Sequence, residues 1–211
     1  MTGPPRPSGS REQTALIARL LARDEAAFVG LVRAEQAALV RLAQVFVASR
    51  ATAEEVVQDT WAAVLDGLGG FERRSSLRTW IFRICVNRAK TRAARDARMV
   101  SFEAEGTEEP EAGDRFDPRG HWALPPRPWQ LDGADEILAR REALASLEAA
   151  IEELPPAQRA VIVLRDIEGI DSESACNVLQ VSESNQRVLL HRARAKVRRA
   201  LEGVLGRGQS G

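Results

Sequence analysis

The stretch DSESACNVLQVSESNQRVLLHRARAKVRR, residues 171–199, decides the fold. Asp171 or Ser172 is suited to cap a short helix carrying Ala175, Cys176, Val178 and Leu179, because a short side-chain oxygen accepts from the free amides of a first turn. A tight turn at Gln180-Val181 follows, and Ser182 caps a long helix whose inner stripe is Leu190, Ala193, Val197, Leu201 and Leu205. A short helix, a brief turn and a longer basic helix make the helix-turn-helix plan, in which the second helix enters the major groove by its N-terminal residues. Those residues are Ser184, Asn185, Gln186, Arg187 and Val188, followed one turn later by His191 and Arg192. Arginine bonds guanine bidentately, and asparagine or glutamine does the same to adenine, each good pair discriminating by roughly 1–3 kcal/mol.

Working outward, the hydrophobic period stays helical and no stretch alternates at period two. A helix from about Asp24 places Phe28, Leu31, Val32, Leu39, Leu42 and Phe46 on one face. A second, after Thr52, carries Val57, Trp61, Val64, Leu65 and Leu68 and stops at Gly69-Gly70. A third, Leu77 to Arg95, turns Leu77, Trp80, Ile81, Ile84 and Cys85 inward and its bases outward. Helix returns at Ala134, is broken at Pro155-Pro156, and resumes through Val161, Leu164 and Ile167 to a stop at Gly169. The reading is all-α: two small helical domains joined by a long acidic irregular linker. Residues 1–23 form a flexible tail and the start of the first helix, 24–98 the first domain, 99–136 the linker, 137–205 the second domain and 206–211 a final tail.

A formal net charge of zero conceals this organisation. Residues 71–98 hold nine bases against Glu72 and Asp96, and residues 187–199 hold six bases and no acid, so a polyanion can be gripped at two points. The linker cancels them with ten acids against three bases over residues 99–136. Its prolines and glycines exclude regular structure, yet it contains Phe102, Phe116, Trp122 and Trp129, which dock either on the chain's own helices or on a partner.

Other function classes find little support. Cys85 and Cys176 lie in different halves, outside any CxxC pair, and with His121 and His191 they match no metal spacing, so reduced buried thiols are expected, with a redox pair the alternative. No phosphate loop or nucleophile-base order is present, so no catalytic residue, metal or cofactor is expected. No apolar run reaches the ~18 residues of a membrane span, and MTGPPRPSGS lacks the apolar core of a signal peptide, which together predict a cytoplasmic protein.

Two stretches together resemble the extracytoplasmic-function branch of the sigma-70 family of bacterial RNA polymerase initiation factors. AEEVVQDTW (Ala53 to Trp61), continuing into FERRSSLRTWIFRICVNRAK (Phe71 to Lys90), is similar to the family's second conserved region, and Leu154 to Leu201 is similar to its fourth. The resemblance implies a sigma factor that directs core polymerase to promoters of a stress or envelope regulon and helps open the DNA. It implies that Glu55, Gln58 and Asp59 dock on the clamp helices of the polymerase largest subunit, where periodicity alone reads a solvated acidic face. It assigns Arg73, Arg78, Trp80, Arg83, Asn87 and Lys90 to the minus-ten element, although the spacing of Trp80 equally suits core. Ser184, Asn185, Gln186, Arg187, His191 and Arg192 then read the minus-thirty-five element. Further implied partners are the polymerase flap and an anti-sigma factor, with the acidic linker threading the polymerase cleft. Where the family has Gly, Val and Arg, this chain has Gln180, Gln186 and Leu189. Gln186, four residues before Leu190, also falls on the inward stripe. The competing reading is a dimeric helix-turn-helix regulator acting without replacing a sigma subunit.

Overall fold

The computed structural model describes residues 11–96, Phe102 and residues 134–207, and every regular element among them is helical. The chain begins differently from the sequence reading. Within the expected tail, α1 (Arg11–Leu21) forms and buries Ile17 and Leu20, a two-residue apolar edge too brief to stand out as a period. Asp24 then caps α2 (Glu25–Ala43), its carboxylate accepting from the Ala27 amide at 3.0 Å and from the Arg19 guanidinium at 2.7 Å. Ser49 caps α3 (Arg50–Gly67) and Ser76 caps α4 (Leu77–Arg95), each hydroxyl accepting from the amide three residues on. A 3-10 turn over Leu68–Gly70 ends α3 at the expected glycine pair. Gly67 lets the Trp80 ring pack closely just before it, since a Cβ there would lie 3.3 Å from that ring and push it aside by a few tenths of an ångström.

The second half opens with α5 (Ala134–Glu152), and Pro155-Pro156 separates it from α6 (Pro156–Ile162), where proline suits a first turn because its missing N–H has no helical partner. One π-helical turn, Val163–Ile167, follows, with the Glu168 amide donating to the Val163 carbonyl at 2.9 Å. Asp171 caps α7 (Ser172–Leu179) through the Ser174 amide at 2.8 Å, and Ser182 accepts from the Asn185 amide at 3.2 Å in the first turn of α8 (Glu183–Arg207). α8 therefore continues past residue 205, where the sequence reading ends the domain.

α2, α3 and α4 pack around Leu39, Leu42, Val57, Val64, Ile81, Phe82 and Val86, and α5 to α8 around Val161, Leu164, Val178, Leu179 and Ala193. α4 also packs on α7, so the two cores merge into one apolar cluster. Of the linker aromatics, Phe102 lies against Phe46 at 6.1 Å and therefore docks on the chain's own helices. Phe116, Trp122, Trp129, the linker acids from Glu103 to Asp132 and residues 208–211 lie outside the described residues, whereas Asp135 and Glu136 fall in the first turn of α5. Cys85 is the buried thiol expected, donating to the Leu39 carbonyl at 3.7 Å, and burial pushes its pKa up to about 12. Cys176 is only half-buried, with its thiol also raised, first by burial.

Two outcomes follow from these local features. Gln180 holds the left-handed conformation, φ 61° and ψ 47°, in the helix-turn-helix turn, where a side chain is strained and glycine is not. Gln180→Gly should therefore raise stability by about 1 kcal/mol in urea titrations followed by circular dichroism. At pH 8 the Cys85 thiolate fraction is about one part in ten thousand. Iodoacetamide should thus label Cys176 in the folded chain and Cys85 only in denaturant, as read by mass spectrometry.

Candidate nucleic-acid interface

α3 and α4 lie side by side, and their outer edges form a cleft of about 310 Å³ lined by Asp59 on one side and by Asn87, Arg88, Thr91, Arg92 and Arg95 on the other. Glu55, Gln58 and Asp59 are exposed on α3, because Val56, Val57, Thr60 and Trp61 occupy the buried positions between and after them. Trp61 is anchored from α2, its indole N–H donating to Gln36 at 2.7 Å and Phe28 meeting it edge-on at 5.8 Å. Glu55 is not isolated: Arg92 reaches it across the helix pair at 3.1 Å. The acid face and the cationic edge are therefore contiguous.

The six residues assigned to the minus-ten element divide into two groups. Arg73, Arg83 and Asn87 are exposed to water. Arg78, Trp80 and Lys90 are half-buried and engaged. The Trp80 ring packs on Phe71 at 5.0 Å and against Gly67, intermediate between a core residue and a free wedge. Arg78 donates to Glu35 at 2.8 Å, to the Glu168 carboxylate at 2.7 Å and to the Glu168 carbonyl, and its guanidinium lies 4.7 Å over Phe82. Lys90 donates to the Leu179 carbonyl at 3.0 Å and stands 4.9 Å over the Phe102 ring; burial lowers its pKa.

In the helix-turn-helix, Ser184 and Arg187 are exposed, with Arg187 held by Glu183 at 2.9 Å, and His191 and Arg192 are half-buried one turn on. Asn185 donates to the Phe102 carbonyl at 2.7 Å. Gln186 corrects its assignment as a groove reader: it is 3% exposed, and its side-chain oxygen accepts from Ser172 at 3.0 Å. A side chain that deep between α7 and α8 cannot reach a base edge while the two helices stay packed. Arg194, one of the six bases of residues 187–199, forms a two-point pair with Asp166 at 2.6 and 2.8 Å.

Sequence reasoning missed Glu35, Arg41, Arg159 and Glu168. Arg41 donates to Glu168 at 2.7 Å, and Arg159 donates to the Gln44 and Val45 carbonyls at 3.2 and 3.4 Å. The partners of these residues lie between 43 and 127 residues away, separations at which no local pattern signals a pair.

Comparison with known proteins follows the same division of the chain. The family model for Sigma-70 region 2 matches residues 31–99, and that for Sigma-70, region 4 matches residues 144–197. The RNA polymerase sigma factor CnrH of Cupriavidus metallidurans is 31% identical over 188 residues, covering 89% of this chain and 93% of that protein. A probable RNA polymerase sigma factor of Haemophilus influenzae is 29% identical over 167 residues, covering 79% of this chain and 86% of its own length. Among solved structures, that of CnrH in complex with the cytosolic domain of CnrY matches with a TM-score of 0.55 and 26% identity, over 90% of this chain and 97% of the solved one.

The Ser172–Gln186 pair gives a direct test of the corrected assignment. The Gln186 Nε2 has no hydrogen-bond partner, so losing the Ser172 hydroxyl strands the whole amide. Ser172→Ala should cost about 1–3 kcal/mol in urea unfolding. The same change made on top of Gln186→Leu should cost a few tenths at most, since no buried amide then remains.

Proposed function

Because the chain belongs to the extracytoplasmic-function branch of the sigma-70 family of RNA polymerase sigma factors, we propose that it confers promoter choice on core polymerase through three separate surfaces. The family consists of transcription initiation factors, not enzymes. The α3 face of Glu55, Gln58 and Asp59 docks on the clamp helices of the polymerase largest subunit. The α4 edge holds unpaired minus-ten bases, with Asn87 supplying a hydrogen-bonding amide and Arg73 and Arg83 neutralising phosphate. Ser184, Asn185, Arg187, His191 and Arg192, at and after the start of α8, meet the minus-thirty-five element in the major groove. The single observation that carries this reading is the shared cleft in which exposed Asp59 faces exposed Asn87 and Arg88. A polymerase-docking surface and a strand-holding surface on adjacent helices can act as one unit, the enzyme presenting opened DNA where the cations already point.

Physical chemistry supports the division of labour. Extracting a base costs a few kcal/mol of stacking and pairing, so the minus-ten surface needs amide and π contacts beside its cations. Trp80, half-exposed on Phe71, supplies a π-face at the edge of that surface. Duplex reading at α8 depends instead on side chains of the first turn reaching base edges. The acidic linker suits a passage lined with basic polymerase walls, where it stands in for nucleic acid. CnrH is seen with the cytosolic domain of CnrY, and a protein partner that covers the docking faces is the regulator proposed for this chain as well. The resemblance extends the targets to promoters of a stress or envelope regulon.

Run-off transcription with core polymerase on a promoter library tests the reading. The chain should direct initiation at a subset sharing two spaced elements, and the triple change Glu55→Ala, Gln58→Ala, Asp59→Ala should weaken core binding by about tenfold or more, as expected for loss of a central docking cluster. Tight binding to duplex DNA by the chain alone, without any affinity for core polymerase, would overturn it.

A further inference from the structure

One side chain of α8 is explained neither by its core nor by its charge. The buried line of the helix runs through Gln186, Leu190, Ala193 and Val197. At about 100° per residue, Val188 lies roughly 200° around the helix from Gln186, Ser184 roughly 160° and Ala195 roughly 180°. These three therefore share the line furthest from the core, and Val188 is 41% exposed. Longer polar side chains flank that line, Arg187 and His191 on one side and Arg192 on the other.

The fold gains nothing from valine at this position. Among the described residues Val188 is not part of the apolar cluster, and a β-branched side chain weakens an exposed helix relative to alanine, lysine or glutamate. Single exposed apolar side chains are ordinary, and Leu21 and Leu65 are others in this chain. Val188 differs from them in its place. With Ser184 it is the outermost side chain in the first two turns of the helix read above as entering the major groove. Ser184, Val188 and Ala195 are also short, so the backbone along that line can come close to base-pair edges.

Those edges present hydrogen-bond donors and acceptors throughout, and their one alkyl group is the C5-methyl of thymine. Set against a donor or acceptor, an isopropyl group removes water and returns no hydrogen bond. Set against a methyl, it shields apolar surface on both partners. We propose that Val188 is a specificity-determining residue that reads thymine in the upstream promoter element by contact with its C5-methyl. The inference deepens the reading above and rests on its placement of α8 in the major groove. It adds one methyl-dependent position to a site otherwise made of hydrogen-bonding side chains.

Duplexes selected from a randomised pool test this, with selection by holoenzyme assembled from core polymerase and the full chain, and in parallel by the full chain alone. Each thymine of the selected element is then replaced in turn by deoxyuridine, which pairs identically and lacks only the methyl. One replacement should weaken binding about three- to fivefold in fluorescence anisotropy, the factor for burying one methyl group. Val188→Ser should weaken binding to the thymine duplex by a similar factor and make the thymine and deoxyuridine duplexes indistinguishable, with its unfolding midpoint unchanged. Val188→Thr, which keeps one branch methyl, should retain part of the discrimination. A purely structural role would lower affinity for both duplexes alike and leave their ratio intact. The proposal is overturned by an element in which no thymine replacement weakens binding, and equally by a deoxyuridine penalty that Val188→Ser leaves in place. Methyl-independent binding by a holoenzyme that still selects promoters removes the Val188 contact and leaves the promoter reading standing. Methyl-dependent binding by the chain alone, without affinity for core polymerase, keeps the contact and removes the promoter reading. Selection of no duplex by either overturns both.

Discussion

α4 is packed from three sides and must still keep a cationic edge in water. Ile81, Phe82, Cys85, Val86 and Ala89 are fully buried against α2 and α3, Lys90 reaches α7, and Arg83, Asn87, Arg88, Thr91 and Arg95 remain exposed. The apolar stripe is consequently wide for a helix this basic. Its width fixes the rotation of the helix, and the rotation decides which bases face solvent. Arg78 and Arg83 are near neighbours in sequence, yet one is 27% exposed in its side chain and committed to two carboxylates, while the other is open to water. The availability of the cations is thus a consequence of core packing, and substitutions at Phe82 or Val86 would disturb the charged edge as surely as substitutions on it.

What was legible in the sequence were features whose causes are local. Asp24, Asp171 and Ser182 act at the helix starts expected of them, and the glycine pair after α3, the double proline before α6 and the turn at Gln180 interrupt the chain as read. Each depends on atoms within about one helical turn, so a short window contains the whole argument. The exposed members of the site, Gln58, Asp59, Arg83, Asn87 and Arg187, follow from the same periodicity. α1 escaped because two buried residues do not make a period, and the π turn escaped because its sequence, VLRDI, has no helix-breaking residue.

The rest was illegible for a different reason. Gln186 lies on the apolar stripe of α8 and also in its first turn, and the stripe and the groove-facing role make opposite demands on it. Burial prevailed because Ser172, at the start of α7, donates its hydroxyl to the amide oxygen and so satisfies half of the group. Arg78 presents the same conflict at longer range. From α4 alone it is an outward base, and two distant carboxylates, Glu35 on α2 and Glu168 ninety residues later, draw it into the junction between the halves. Nothing in the spacing of either segment specifies the other.

The neutral total charge gains a physical meaning from these pairings. Some of the positive charge is held internally, on Glu35, Glu55, Asp166 and Glu168, and some on helix-end carbonyls that carry no formal charge and leave no trace in a charge count. A cation capping a carbonyl is partly desolvated without being neutralised, as the lowered pKa of Lys90 and Arg159 reflects, burial being the first cause in each. Such groups retain their full attraction for phosphate while giving up part of their hydration in advance.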